Sequence, residues 1–227
     1  MRKTIVLMIL DGWGEGEQNE SNPIYVVNPK TINSLKYSFP CGLLQASGIA
    51  VGLPWNEEGN SEVGHLTLGA GRIIHQNYPR ITLSIKNGSF FQNPALLGAY
   101  EHAKKNNSRV HIVGLLAAPS TYVHSSLDHL LALIKFAHQE QVNYDLHLFT
   151  DGRDSPPYSS LEIIKSLGEE AKNIASLSGR YFSMDRAKHW DRTFKTYKVL
   201  IGESNLIENY EEQIRIIHQK FSDEYIE

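Results

Sequence analysis

Short apolar runs and amphipathic segments alternate along this chain. Residues 4–10 form a mostly apolar run that reads as a strand buried on both faces. Val110–Leu116 and Tyr144–Thr150 are two further strand candidates. Between and after them, apolar positions recur with the helical period. Asn28-Pro29 and Asn93-Pro94 each read as an N-cap with proline at the first helical position. They open helices carrying Ile32 and Leu35, and Leu96, Leu97 and Tyr100. Ser125 with Asp128, and Ser159 with Glu162, fit capping boxes. The helices behind them turn Leu127, Leu130, Leu131 and Ile134 inward, and Leu161, Ile164, Leu167, Ala171 and Ile174. Tyr210, Ile214, Ile217 and Phe221 make a last amphipathic stripe.

Two stretches resist the pattern. Residues 42–71 are Gly-rich and polar, and no long helix is expected there. Residues 74–88 end in Asn87-Gly88, which turns a hairpin or ends a helix. The closing SDEYIE follows a helix directly and reads as the start of another element. Strands alternating with helices of this length predict an α/β fold with a largely parallel sheet.

Composition narrows the function classes. A chain of 227 residues has room for one large domain or two modest ones, and 41% hydrophobic residues exclude wholesale disorder. With 22 Lys and Arg against 25 Asp and Glu, the net charge of −3 sets up no global field for nucleic acid or an acidic membrane surface. Any anion site must therefore be a local cluster. Cys41 is the single cysteine, so no internal disulfide forms, which fits a cytoplasmic protein. Arg2 and Lys3 before the apolar run resemble a secretory leader, but DGWGEGE follows where a small-residue cleavage site belongs. No stretch approaches the ~18 apolar residues of a membrane span.

Four segments carry candidate chemistry. Asp11, in LDGWG at the carboxyl end of the first strand candidate, stands where open α/β sheets hold their ligands, and it could take a metal; an Asp-Gly turn is the plainer reading. In GNSEVGH (residues 59–65), glycines let backbone approach a ligand, and Ser61 at a helix N-terminus would meet free amides suited to phosphate. A serine hydroxyl needs a base or metal before it becomes a nucleophile, and ordinary helix capping explains the serine equally well. DGRDSPP (residues 151–157) would project Arg153 and Asp154 from a proline-braced loop, the guanidinium suited to bidentate capture of phosphate or carboxylate. Finally, Arg180, Arg186 and Arg192 recur six residues apart in GRYFSMDRAKHWDR, with Tyr181 and Trp190 as apolar backing. A solvated basic face is the plain alternative there.

Together these segments have the order and spacing of one family. LDGWG, GNSEVGHLTLGAGR, VHSSLDHL, FTDGRDSPP and SGRYFSMDRAKHWDR resemble the cofactor-independent phosphoglycerate mutases of the alkaline phosphatase superfamily, and the likeness runs over essentially the whole chain. The resemblance implies interconversion of 3-phosphoglycerate and 2-phosphoglycerate through a phosphoserine, with two manganese ions. Carried over by motif, it implies that Ser61 takes the phosphoryl group, that Asp11 and Ser61 are ligands of one metal, and that His124, Arg153, Asp154, Arg186 and Arg192 contact substrate. It also implies an incomplete phosphatase-like α/β domain over residues 1–76, followed by an incomplete α/β transferase domain over residues 77–227. Family members are much longer, and their later part supplies most metal ligands. The isolated chain is therefore expected to be inactive alone, with a complementary C-terminal chain as its partner beside the small-molecule phosphoglycerate. Another metal-dependent phosphatase of the superfamily, or a non-catalytic phosphoglycerate-binding remnant, is the alternative. The chain departs from the family pattern at APSTY (residues 118–122), at Ser126 and at Ala187 and His189, all beside the expected substrate contacts.

Overall fold

A parallel sheet forms where the strongest apolar runs are separated by helical crossovers. The computed structural model describes residues 4–55, 57–119, 121, 124–204 and 206–227. The chain divides into two units, Met1–Pro79 and Arg80–Glu227. Residues 120, 122 and 123 of the loop that departs from the family pattern, and Arg2 and Lys3, lie outside the described residues.

The first unit holds α1 (Pro23–Val27), α2 (Lys30–Ser38) and α3 (Ser61–Ala70). Its buried apolar cluster is small, formed by Val51, Leu53 and Val63. Residues 4–10 are not a strand, and Ile5 is 92% exposed. The reason is cooperative: an extended backbone is held only by a neighbour that satisfies its N–H and C=O groups, and no strand of this unit is present among the described residues. Asn28 also departs from its reading. It ends α1 in the left-handed conformation at φ 48°, and Pro29 precedes α2 as its cap. The polar stretch 42–71 does contain a helix of ten residues, because Asn60 accepts a bond from Val63 N and fixes the first turn of α3.

Helix α4 (Asn77–Lys86) begins in the first unit and ends in the second; Gly88 follows it at φ +83°, so Asn87-Gly88 ends a helix rather than turning a hairpin. Helix α5 (Pro94–Lys105) starts as its cap signal predicts, with Asn93 Oδ1 accepting from Ala95 N at 2.9 Å. Strands β1 (Val110–Leu116), β2 (Tyr144–Thr150) and β3 (Ile174–Gly179) form the sheet in the order β1-β2-β3, all parallel. The crossovers run through α6 (Leu127–Gln139) and α7 (Ser160–Ser166). Leu146 and Leu148 of β2 are completely buried, together with Leu130, Ile134 and Ile164 from the helices. Full burial of each such side chain stabilises the fold by about 1.5–3 kcal/mol. Leu131, by contrast, is 39% exposed, since it lies off the face that packs on the sheet.

Neither capping box forms. Ser126 precedes α6 without a side-chain bond, and Ser159 Oγ donates to Pro156 O, which leaves the first turn of α7 to a distant acceptor. Helix α7 stops early, since Gly168 takes φ +57° and a 3₁₀ turn (Gly168–Asn173) leads straight into β3. Ile174 therefore begins a strand rather than ending a helical stripe. The unit closes with α8 (Arg180–Ser183), α9 (Trp190–Leu200), α10 (Tyr210–Ile217) and a single 3₁₀ turn at Asp223–Tyr225.

Candidate active site

Within the first unit, the fold brings two residues 50 positions apart into contact. Ser61 Oγ donates to Asp11 Oδ2 at 2.7 Å. Because Asn60 is the cap, Ser61 occupies the first helical position and its hydroxyl is not consumed in capping. His65, one turn on, donates from Nδ1 to the Ser61 carbonyl at 2.7 Å. Asp11 and Ser61 offer two hard oxygen donors side by side, the chemistry a manganese ion favours. Such an ion takes about six donors, however, and no group of three or more His, Cys, Asp or Glu able to hold a metal occurs among the described residues. These two groups do not amount to a manganese site by themselves.

In the second unit, the carboxyl ends of β2 and β3 lie side by side, because Thr150 and Gly179 are partners in the register. The residues immediately beyond them, Asp151 and Arg180, therefore meet. Arg180 Nη1 donates to Asp151 Oδ1 at 2.5 Å and to Asp154 Oδ2 at 2.7 Å. Asp151 also accepts from Ser155 N at 2.8 Å and Ser155 Oγ at 2.6 Å, so its carboxylate folds the DGRDS loop around itself. Burial opposes ionisation of Asp151, but the bonds from Ser155 and Arg180 outweigh it and hold the carboxyl below the usual range. Burial likewise works against the Arg180 charge, and its two aspartates overcome that and keep the guanidinium protonated. The loop is further tied down by Ala118 N donating to Ser155 Oγ at 2.9 Å and Thr121 Oγ1 donating to Asp154 O at 2.9 Å.

Of the sequence-predicted substrate contacts, His124 and Asp154 are brought together, His124 Nε2 lying 3.6 Å from Asp154 Oδ2. Arg192 is held differently. Its guanidinium lies 3.8 Å from the ring centroid of Tyr181, and Nη1 is 3.5 Å from Asp185 Oδ1. Asp185 also accepts from His189 N at 2.8 Å, closing the turn that leads into α9. Arg153 and Arg186 are exposed, and their side chains make no hydrogen bond or ion pair to another described residue.

Comparison with known proteins is decisive for the family. A family profile described as "BPG-independent PGAM N-terminus" matches residues 81–227. The chain belongs to this family. It is 47% identical over 205 residues to 2,3-bisphosphoglycerate-independent phosphoglycerate mutase 1 of Methanosarcina barkeri, an alignment covering 88% of this chain and 39% of that protein. It is 42% identical to the 2,3-bisphosphoglycerate-independent phosphoglycerate mutase of Pseudomonas fluorescens, over 99% of this chain and 45% of that protein. Among solved structures, phosphoglycerate mutase of Leishmania mexicana, crystallised at low cobalt concentration, matches with a TM-score of 0.66 and 26% identity over 96% of this chain and 43% of that one. The chain thus spans about two fifths of the length of the curated relatives it matches.

The pairing of two residues of this chain escapes the motif reading. Asp151 receives no role there, and Arg180 is read only as one of three arginines of a basic segment. What distinguishes them is burial: Asp151 is 1% exposed and Arg180 8%. The available signal was positional, since each is the first residue after a strand whose neighbour in the sheet is the other's strand. Seeing it required β3, which the helical stripe over residues 161–174 concealed.

Proposed function

We propose that this chain supplies the phosphoserine-forming half and part of the glycerate-holding half of a reaction that interconverts 3-phosphoglycerate and 2-phosphoglycerate. The observation that carries this reading is the Ser61–Asp11 contact, which joins the LDGWG and GNSEVGH motifs across 50 positions. In this reading Ser61 Oγ forms the new bond to phosphorus while the bond from phosphorus to the glycerate oxygen breaks, and the serine proton ends on that departing oxygen. The group then returns to the other glycerate hydroxyl. The Asp11 carboxylate orients the serine hydroxyl. Asp11 and Ser61 are proposed as two donors to a divalent metal, manganese in the family pattern, which would neutralise phosphoryl charge. The remaining donors would come from sequence corresponding to the rest of the relatives' length.

Arg153, Arg186, Arg192 and His124 are proposed to hold the glycerate and its phosphate, with Asp154 fixing His124. Planar guanidinium groups suit both carboxylate and phosphate, and holding the glycerate in place makes recapture effectively unimolecular. Residues 1–76 are proposed as part of the phosphatase-like domain and residues 77–227 as part of the transferase domain. A cytoplasmic location is proposed from the metabolite it handles; among the described residues no helix is long and apolar enough to cross a membrane.

The test separates binding from turnover. Calorimetric titration of 3-phosphoglycerate into the chain, with a chelator present, is expected to show binding that Arg192→Ala weakens. Turnover is expected only after adding manganese and a polypeptide equivalent to the remaining part of a full-length relative, and Ser61→Ala should abolish it. Turnover by the chain alone at the rate of a full-length relative, or no binding of phosphoglycerate, would overturn the proposal.

A further inference from the structure

The last residues of the chain lie across both arginine-bearing segments of the proposed site. Asp223 is 1% exposed, and its carboxylate accepts from Ser160 N at 2.8 Å and from the Ser160 hydroxyl, across 63 positions of sequence. It is the acceptor for the first turn of α7 that Ser159 does not provide. His218 Nε2 stands 2.7 Å from Asp223 Oδ1, the oxygen that also accepts from the Ser160 hydroxyl. The Asp223 backbone grips both ends of the DGRDSPP loop. Thr150 Oγ1 donates to Asp223 O at 2.7 Å, and Asp223 N donates to Pro157 O at 2.8 Å.

Two glycines make this approach feasible. A Cβ on Gly152, whose φ is +67°, would lie 2.7 Å from Glu224 N, and one on Gly179 would collide with Glu224 O. Gly179 N donates to Ile226 O at 2.5 Å. One residue along, the Tyr225 ring packs on Tyr181 with centroids 4.8 Å apart, and Tyr181 is the ring under Arg192. The Phe221 ring also contacts Tyr225, with centroids 6.0 Å apart.

We propose that residues 222–226 are a strap that sets the Arg153–Asp154 loop and Arg192 in register with one another, with Asp223 and Tyr225 as its positioning residues. The strap touches the first segment through Asp223 and Glu224 and the second through Tyr225 and Tyr181. Each segment is braced locally, by Asp151 in the first and by Asp185 in the second, and the strap is what joins the two. The proposal rests on the reading that these arginines bind phosphoglycerate, but its mechanical part does not.

Two readouts on the full chain keep those parts apart. In Asp223→Ala, amide exchange protection at Asp154 and Ser155 should fall at least tenfold while that of β2 is retained; unchanged protection would overturn the strap. Calorimetry with 3-phosphoglycerate should show binding about three- to tenfold weaker in Tyr225→Ala, from loss of the support under the stacked guanidinium, and unchanged in Tyr225→Phe. Leu133→Ala, a core change away from the strap, should lower the unfolding temperature without altering affinity. Equal weakening by Tyr225→Phe, or by Leu133→Ala, would also overturn the strap. No binding by the unmodified chain would overturn the phosphoglycerate reading instead, and amide exchange would then decide the strap alone.

Discussion

Arg180 Nη1 lies 2.5 Å from Asp151 Oδ1, although 29 positions separate the two residues. Each stands at the first position beyond a strand, and the strands are neighbours. The pairing of β2 with β3 therefore builds the ion pair, and the ion pair in turn holds Asp154, which faces His124. A structural contact at the sheet edge thus reaches the proposed substrate contacts in two steps.

Removing Asp151 should be costly. Asp151→Ala leaves the buried guanidinium with Asp154 as its remaining carboxylate and takes the acceptor from Ser155 N, so a loss of about 3 kcal/mol is expected, the lower end of the cost of breaking a buried pair. Urea unfolding followed by circular dichroism measures it. A loss below about 1 kcal/mol, the scale of exposed pairs, would show that the loop is held by other contacts.

Stability should fall as the pH drops below neutrality, and histidines should account for the first part of the fall. Burial depresses the pKa of His129, and burial with the nearby His111 depresses that of His147. Both groups are favoured neutral in the folded state. Their contribution is complete above the unfolded value near 6.5 and is lost as pH falls through the lower folded values. Asp145, Asp151 and Glu170 are also depressed, but from carboxylate values, so their loss comes only below about pH 4. Unfolding temperatures from pH 7.5 to 5 should decline, and His147→Gln should flatten the decline. An unchanged slope in that variant contradicts the assignment.

Manganese should bind poorly to the chain alone. Asp11 and Ser61 supply two oxygen donors where about six are wanted. Paramagnetic resonance of equimolar manganese and protein is expected to show an essentially undiminished free-ion signal. A stoichiometric loss of signal that Asp11→Asn restores would mean that other donors of this chain complete the site.

Arg192 should not tolerate lysine. Its guanidinium carbon lies 3.8 Å from the Tyr181 ring centroid, and a planar guanidinium engages a ring face in a way that an ammonium does not. Arg192→Lys is expected to weaken 3-phosphoglycerate binding by about 1–2 kcal/mol, read by calorimetry. Full retention of affinity would assign the stacked arginine to the fold alone.

Much of the second unit follows from local pattern. β1 and β2 occupy the residues their apolar runs predict, and Asn93 caps α5 as its side chain dictates, because these signals act over a few residues. The motif segments also declare the family without reference to coordinates, since residue types and spacing are properties of the chain. Where the reading fails, the deciding partner is distant. Residues 4–10 have the composition of a buried strand but no neighbour to pair with in their unit, and Ile174 begins a strand only because β2 is there to accept it. The cap of α7 is Asp223 rather than Ser159, and the partner of Asp151 is Arg180. Neither pair could be found by period or propensity. A hydrogen bond or ion pair is decided by which polar groups are desolvated together, and burial is a property of the packed chain. Sequence alone determined the family, the α/β class and the residue types at the site; only tertiary structure decided which of those charges are committed to holding the loop and which stay exposed to meet an anion.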